Sequence, residues 1–270
     1  MDPLLITDPA ALAGLLAERG CRCTVESVEL TGSTNSDLVA RCRSGRPLQP
    51  LLRVAAHQSG GRGRLGRRWQ TEPGQALLFS VALPLDAPPA AVPAVTLACG
   101  VALAEVCRQR GAAVTIKWPN DVWLDGRKLA GILSELAVDA QGQRSLVVGV
   151  GINLELDAAA RATLGSPAAA LADALPEAAR PEFRAAWLAD FGAALIAAIE
   201  TYLAQGLAPF VERWAGLDAM RDRAVEIRQG ETVLARGLAR GIDQQGCLLL
   251  EAGGRLVPIT GGDVSLRVAA

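Results

Sequence analysis

The stretch Ser59–Trp69 concentrates positive charge on a flexible backbone. It places four arginines and four glycines in eleven residues, with the sequence SGGRGRLGRRW. Ordering arginine costs side-chain entropy and ordering glycine costs backbone entropy, so the loop needs a ligand to order it. Guanidinium groups bind phosphates and carboxylates through paired hydrogen bonds, and we therefore predict an anionic ligand.

Small polar residues flank this arginine loop. Ser33, Thr34 and Asn35 stand where the predicted strand TVESVEL meets the predicted helix STNSDLVARCRSG, and Gln58 ends the strand LLRVAAHQ. Ser, Thr and Asn are common helix caps. They also offer both donors and acceptors to a neutral polar ligand. Spacing alone leaves both interpretations open.

A third polar cluster lies in the segment KWPNDVWLDGRKLAGILSE. Lys117, Asn120, Asp121 and Lys128 interrupt a β-rich and largely apolar region. Asp125-Gly126 between two apolar runs predicts a hairpin, and Lys128 follows that turn. Each of these residues is as typical of a turn or a strand edge as of a binding site.

The segment VVGVGINLE carries a fourth signal. Gly149 and Gly151 lie inside a predicted strand, which indicates close approach of a ligand or another backbone. We expect Asn153 to face the same cavity.

Periodicity and turn residues predict an α+β chain that divides near residue 220. Asp8-Pro9 gives the first helix a cap and a first helical residue. Alternating apolar residues predict strands interspersed with helices, and the glycine-broken strands near the end predict a small β-barrel. The predicted domains are 1–220 and 221–270. Two further helical regions are predicted at Ala90–Arg110 and Pro167–Met220.

Gly61, Gly63 and Gly66 match the dinucleotide pattern GxGxxG, but the context excludes a Rossmann site. That motif needs a helix to begin at the glycines, so that its N-terminus can hold pyrophosphate. Here Pro73-Gly74 and the strand-like run ALLFSVALP follow instead. No GxxxxGK[ST] occurs, so ATP phosphates would have to be held by other means.

Composition excludes other classes of protein. The formal net charge is −1 and the basic residues cluster locally, which favours a small anionic ligand over nucleic acid. Asp2 places an acidic residue where a signal peptide needs basic ones. Charges interrupt the most apolar helix, Pro181–Gln205, so we expect no membrane span. We expect a cytoplasmic protein with six reduced cysteines and a single histidine, His57, packed in a strand.

Taken in order, GSTN, HQSGGRGRLGRRW, KWPNDVWLDGRKLAGILSE and VVGVGINLE resemble the motifs of the biotin protein ligases. The resemblance covers about Ser33–Asn153 and continues through GLAPFVERWAGLD into GIDQQGCLLLEAGGRLVPITGGDVSLR. It implies a class II synthetase-like catalytic domain of the biotin–lipoate ligase type, in which helices pack on a mixed β-sheet, followed by a small SH3-like β-barrel. It also implies a ligase that forms biotinyl-5′-adenylate from biotin and ATP and transfers biotin to a lysine of a biotin carboxyl carrier protein.

The same resemblance assigns roles to the four clusters. The arginine loop would close over biotin and the adenylate, with Lys128 and Arg64 as catalytic residues. Asp121 would contact Mg²⁺, because a hard cation prefers oxygen ligands. The implied biotin contacts are Ser33, Thr34, Asn35, Gln58, Arg62, Gly63, Arg64 and Lys128. The implied ATP or adenylate contacts are Arg64, Arg67, Trp69, Asn120, Asp121 and Asn153.

Partners and alternatives complete these expectations. Some family members carry an N-terminal winged helix-turn-helix, but only about 25 residues precede the first catalytic strand here, so we expect no specific DNA binding. Homodimers occur in the family, and the sequence leaves the possibility of a homodimer open.

The main alternative function is that of a lipoate–protein ligase-like acyltransferase of the same fold. An octanoyltransferase would need a reactive cysteine in the motif loops, which contain none. An RNA-binding module would need aromatic residues for base stacking, but the chain is 4% aromatic and the basic stretch has no interleaved Phe or Tyr.

Overall fold

The computed structural model describes residues 7–86, 92–164, 167–262 and 264–268. These residues form two sheets with helices packed mainly on the first. The helices are α1 (Pro9–Glu18), α2 (Thr34–Ser44), α3 (Val95–Gln109), α4 (Ala158–Thr163), α5 (Arg184–Gln205) and α6 (Ala208–Ala215). The strands of the first sheet are β1 (Thr24–Thr31), β2 (Leu51–Gln58), β3 (Ala76–Pro84), β4 (Val114–Lys117), β5 (Asp121–Leu124), β6 (Arg127–Val138) and β7 (Arg144–Asn153). The strands of the second sheet are β8 (Ala224–Gln229), β9 (Thr232–Ile242), β10 (Leu248–Ala252), β11 (Arg255–Ile259) and β12 (Ser265–Val268).

The first sheet is mixed, as predicted, and has seven strands in the order β1-β2-β3-β7-β6-β5-β4. Only β1 and β2 pair in parallel, and every other described pair in it is antiparallel. Helices α3 and α5 contact one side of the sheet, and α2 contacts β3, β6 and β7 in a separate small core. Burial on both faces explains why β3 is apolar at nearly every position.

The second sheet begins at Ala224, close to the predicted boundary at residue 220. Its five strands run β11-β10-β9-β8-β12, and each neighbouring pair is antiparallel. The prediction of a separate small β unit is therefore confirmed. The closed barrel is not seen in the described residues, because β12 pairs with β8 and lies at the opposite edge from β11.

The helical predictions hold with shifted bounds. Asp8 caps α1 through its carboxylate, as predicted, and accepts from the N–H groups of Ala10 and Ala11. The predicted start of α3 at Ala90 lies outside the described residues, and the helix itself begins at Val95. The predicted helical region 167–220 contains α5 and α6, and Pro176 and Pro181 each open a short 3₁₀ turn before α5.

The expectation of no apolar run of membrane-spanning length also needs correction. Pro181–Gln205 is long and apolar enough, by length and composition, to cross a membrane. The charges at Glu182 and Arg184 stand at its start and leave a stretch beyond them with few charges. In this fold the helix packs against α1 and α3, and 56% of that stretch is buried. Its apolar character is accounted for by the core.

Candidate active site

The junction of β1 and α2 is both a helix cap and a cavity wall. Ser33 caps α2 by accepting from the Ser36 N–H at 3.5 Å. The backbone N–H and the hydroxyl of Thr34 both donate to Oε1 of Gln58, at 2.7 and 3.0 Å. Thr34 Oγ1 also lies 2.7 Å from Ser80 Oγ. The capping interpretation is confirmed, and the same turn presents buried polar groups to a cavity.

The arginine loop is closed by its own backbone. The N–H of Trp69 donates to the carbonyl of Gly61 at 2.9 Å, and the N–H of Gly63 donates to Arg67 at 2.7 Å. The turn between them takes left-handed backbone at Leu65 and Gly66, where glycine is least strained. The sequence led us to expect that a ligand orders this loop. These backbone hydrogen bonds supply part of that order.

Arg64 reaches from this loop to the second sheet. Its guanidinium donates to the carbonyl of Gly262 at 2.6 Å, to that of Gly261, and to Oδ1 of Asn120 at 3.2 Å. Asn120 in turn donates to the Ile132 carbonyl at 2.9 Å, which fixes its amide against β6. The loop before β12 therefore lies directly on the arginine loop.

Lys128 lies on β6, one strand away from its acidic partner on β5. Its Nζ is 2.7 Å from Oδ1 of Asp121, and both side chains are partly exposed, at 31% and 20%. The backbone of Lys128 is also fixed, since its N–H donates to Pro167 and its carbonyl accepts from Ala169. The structure thus pairs the lysine expected to catalyse with the carboxylate expected to contact Mg²⁺.

Trp69 occupies a shelf made by two strand glycines. Gly131 and Gly151 are direct cross-strand neighbours on β6 and β7. A Cβ at Gly151 would lie 2.6 Å from the Trp69 ring, and Lys128 Nζ is 5.6 Å from the ring centroid. The sequence predicted close approach of a ligand or another backbone at Gly149 and Gly151, but in the structure side chains make that approach: Trp69 at Gly151, and Asn35 at Gly149.

Lys117, at the end of β4, adds a half-buried cation that the sequence singled out without a role. Burial lowers the pKa of its amine to about 8, partly offset by Asp121, while the nearby cations Arg267, Lys128 and Arg67 lower it further. Its Nζ also lies 4.8 Å from the centroid of the Trp123 ring. An anion bound beside Lys117 would favour the charged form of this amine.

All of these groups line one cavity of about 700 Å³. One wall carries neutral polar side chains, and the other carries most of the charge. Among the described lining residues Asp121 is the single carboxylate. Every residue that the sequence proposed for the site lines it: Ser33, Thr34, Asn35, Gln58, Arg62, Gly63, Arg64, Arg67, Trp69, Asn120, Asp121, Lys128 and Asn153.

Sequence reasoning missed several residues of this region. Ser80, fully buried on β3, stands out as the one polar residue of an apolar strand. Glu135 on β6 binds two of the expected site residues, and its signal was only a charge within an apolar run. The last strand, 265–268, lines the cavity through a chain reversal that no local pattern predicts. Asn153 does line the cavity, but its amide already donates to the Ala169 carbonyl.

The fold and cavity define a protein of the biotin/lipoate ligase class. Residues 27–153 match the model of the Biotin/lipoate A/B protein ligase family, and residues 222–267 match the Biotin protein ligase C terminal domain. A solved structure of Aquifex aeolicus biotin protein ligase in complex with biotin and ATP has the same fold. The two structures superpose with a TM-score of 0.73 and 23% sequence identity, and the match covers 92% of this chain and 99% of the Aquifex aeolicus chain.

Sequence similarity identifies the family within the biotin/lipoate ligase class. The chain is 34% identical to the bifunctional ligase/repressor BirA of Escherichia coli, over 99% of this chain and 80% of that protein. It is 36% identical to the biotin–[acetyl-CoA-carboxylase] ligase of Mycobacterium tuberculosis, over 89% of this chain and 88% of that protein. The chain belongs to the biotin protein ligase family.

Proposed function

We propose that this chain activates biotin with ATP as biotinyl-5′-adenylate and transfers the biotinyl group to a lysine of a biotin carboxyl carrier protein. ATP-dependent biotin ligation is the activity of the family to which the chain belongs. The observation that carries the proposal is the division of one cavity into a neutral polar wall and a cationic wall. Biotin has matching ends, a neutral ureido ring and a carboxylate.

The neutral wall suits the ureido ring. That ring offers a carbonyl acceptor and two N–H donors, and Ser33, Thr34, Asn35 and Gln58 supply both kinds of partner. Most of this wall is buried and already hydrogen-bonded, so little reorganisation is needed on binding. Arg62 and Gly63 would border the biotin tail.

The cationic wall suits the reacting groups. In the first step a carboxylate oxygen of biotin bonds to the α-phosphorus of ATP, and the bond to pyrophosphate breaks. In the second step the neutral amine of the acceptor lysine bonds to the acyl carbon, and AMP leaves with the bond electrons. Lys128 and Arg64 would stabilise the charge on the α-phosphate in both steps. No covalent bond to the enzyme is required, because alignment and electrostatics suffice.

The nucleotide would take the remaining contacts of this wall. Arg67 and Asn120 would bind its phosphates, Trp69 would pack on its adenine, and Asn153 would line the adenylate site. Lys117 adds charge beside them.

Mg²⁺ is the proposed activator. Mg²⁺ is usually held by one or two carboxylates together with substrate phosphates. The described residues contain no cluster of three or more metal-ligating side chains, so such a mixed site is the one that fits. Asp121 would contact the ion after exchanging its bond to Lys128, and the ion would neutralise phosphate charge.

Further proposals concern the setting of this activity. We propose a division into domains at 1–220 and 221–270, supported by the separate second sheet. We propose a cytoplasmic protein, supported by six free cysteines. We propose no specific DNA contact by this chain, supported by its net charge of −1. A sequence-specific footprint at physiological salt would overturn that last proposal.

Pyrophosphate exchange tests the main proposal. The protein is incubated with ATP, radiolabelled pyrophosphate and either biotin or lipoate, and label entering ATP is counted. We expect exchange that depends on biotin, followed by transfer of biotin to a carrier lysine. Equal exchange with lipoate would favour the alternative acyltransferase, and no exchange with either acid would reject ligation.

A further inference from the structure

Glu135 joins the two walls of the cavity although it is not itself among the lining residues. Its carboxylate accepts from Arg62 through both oxygens, at 3.0 and 2.8 Å, and from Nδ2 of Asn35 at 2.7 Å. Its side chain is 25% exposed and that of Arg62 is 45% exposed. One carboxylate therefore holds both the arginine loop and the neutral wall.

The carboxylate decides which way the Asn35 amide points. An ionised carboxylate only accepts hydrogen bonds, so the Asn35 nitrogen must face Glu135. The second amide hydrogen is directed to the Leu133 carbonyl at 3.3 Å. Oδ1 then faces away, is buried, and has no hydrogen-bond partner among the described residues. A fixed buried acceptor of this kind is costly unless a donor meets it.

The surroundings keep that acceptor available to a ligand. Asn35 is 4% exposed and lines the cavity. Gly149 lies against Oδ1, and any Cβ at that position would overlap it. The glycine therefore gives the amide room, and Oδ1 is left as a cavity-side acceptor with no donor among the described residues.

We propose that Glu135 is a positioning residue for biotin. It aims Asn35 Oδ1 at a ureido N–H and anchors Arg62 so that the arginine loop lies over the ring. This inference rests on the proposed function, since it takes biotin as the ligand of the neutral wall. Glu135 would thus contribute to recognition of the ureido ring without contacting the ring or the nucleotide.

The test compares two glutamates of equal exposure. Glu135→Gln keeps the shape but removes the charge, and it lets an amide nitrogen face Asn35. Glu26→Gln is the control, because Glu26 is also 25% exposed and binds two arginines, Arg41 and Arg53, neither of which lines the cavity. Biotin and ATP are each titrated alone by calorimetry, and the thermal midpoint of each variant is measured.

We expect Glu135→Gln to weaken biotin binding by about 10- to 150-fold, the usual range for a charge-assisted hydrogen bond. ATP binding and the thermal midpoint stay close to wild type, and Glu26→Gln changes neither affinity. Biotin affinity within about twofold of wild type would overturn the inference. So would an equal loss of ATP affinity, which marks a merely structural role.

A double-mutant cycle covers the case in which Glu135→Gln does not fold. Asn35→Ala and Arg62→Ala each remove one partner of the carboxylate. If Glu135 couples them, the double variant loses less biotin affinity than the product of the two single losses. Independent losses would overturn the inference. A wild-type protein that binds lipoate but not biotin would instead reject the proposed function.

Discussion

The two walls of the cavity are held in different ways. On the neutral wall, Thr34 bonds to both Gln58 and Ser80, and Thr34 and Ser80 are buried. On the cationic wall, Lys128 and Arg64 are bonded to groups that an anion would replace, Asp121 and the Gly262 carbonyl. The neutral wall is built before the ligand arrives, whereas the cationic wall must exchange partners.

This difference assigns different tasks to the two walls. A preorganised wall gives affinity and selectivity for the ring at little cost of reordering. On the cationic wall, Asp121 and the Gly262 carbonyl bind the cations of Lys128 and Arg64 until a phosphate group takes their place. Mutations on the neutral wall should therefore change binding, and mutations on the cationic wall should change rate and retention.

The largest expected effect is that of Lys128→Ala. We expect adenylate formation to fall about 100-fold or more, because one cation at the α-phosphate is lost. Biotin binding measured without ATP should change little. Pyrophosphate exchange reports the rate, with Arg127→Ala as the control, since Arg127 pairs with Asp173 outside the cavity. Exchange near the wild-type rate would remove Lys128 from the catalytic role.

Arg64→Gly should uncouple retention from synthesis. Lys128 remains to support adenylation, but the loop loses its bonds to Asn120 and to the loop before β12. We expect retention of the adenylate to fall by about 10- to 150-fold, the range for one charge-assisted contact. The escaped mixed anhydride would then acylate lysines of bystander proteins.

A biotin blot measures this leakage. Mutant and wild type are incubated with biotin, ATP and an unrelated lysine-rich protein, and Arg46→Gly serves as a control outside the cavity. Bystander labelling no greater than wild type, with adenylation still measurable, would show that the loop does not retain the intermediate.

Gly151→Ala should act through Trp69 alone. The added Cβ would lie 2.6 Å from the indole, so the ring must leave its shelf. We expect the KM for ATP to rise about tenfold, within the range for a lost aromatic contact, with biotin affinity nearly unchanged. Gly14→Ala is the matched control, because a Cβ there meets open space. An unchanged KM for ATP would separate Trp69 from the nucleotide.

The smallest effect should be a pH dependence from Lys117. Its pKa is lowered to about 8, chiefly by burial, so the amine loses its charge as pH rises through that value. We expect ATP affinity to fall by less than about tenfold above pH 8, since one charge among several is lost. Lys117→Met should flatten this dependence. The same profile in both proteins would exclude Lys117 as its source.

Stability should move in the opposite direction. Between the lowered pKa and the ordinary value of 10.5, the unfolded chain binds more protons than the folded one. The free energy of unfolding should therefore gain a contribution as pH rises across that window. Denaturant titrations at several pH values check this, and Lys117→Met should lack the gain.

The sequence predicted the second β unit and singled out residues that the fold brings to one cavity, and the family resemblance implied the mixed sheet. Those successes came from long motifs and from periodicity, which are local signals. The link from Glu135 to Asn35 spans 100 positions and depends on strand register, which no local pattern encodes. The open edge at β12 and its place on the cavity likewise depend on tertiary pairing.

A crystal structure of the protein bound to a non-hydrolysable biotinyl-5′-adenylate analogue tests the central claim most directly. We predict the ureido ring against Thr34, Asn35 and Gln58, and the phosphate within hydrogen-bond distance of Lys128 and Arg64. The bond between Lys128 and Asp121, 2.7 Å in the present structure, should be lengthened or replaced. A ring bound at the cationic wall, or a phosphate that leaves the Lys128–Asp121 pair intact, would contradict the division of the cavity.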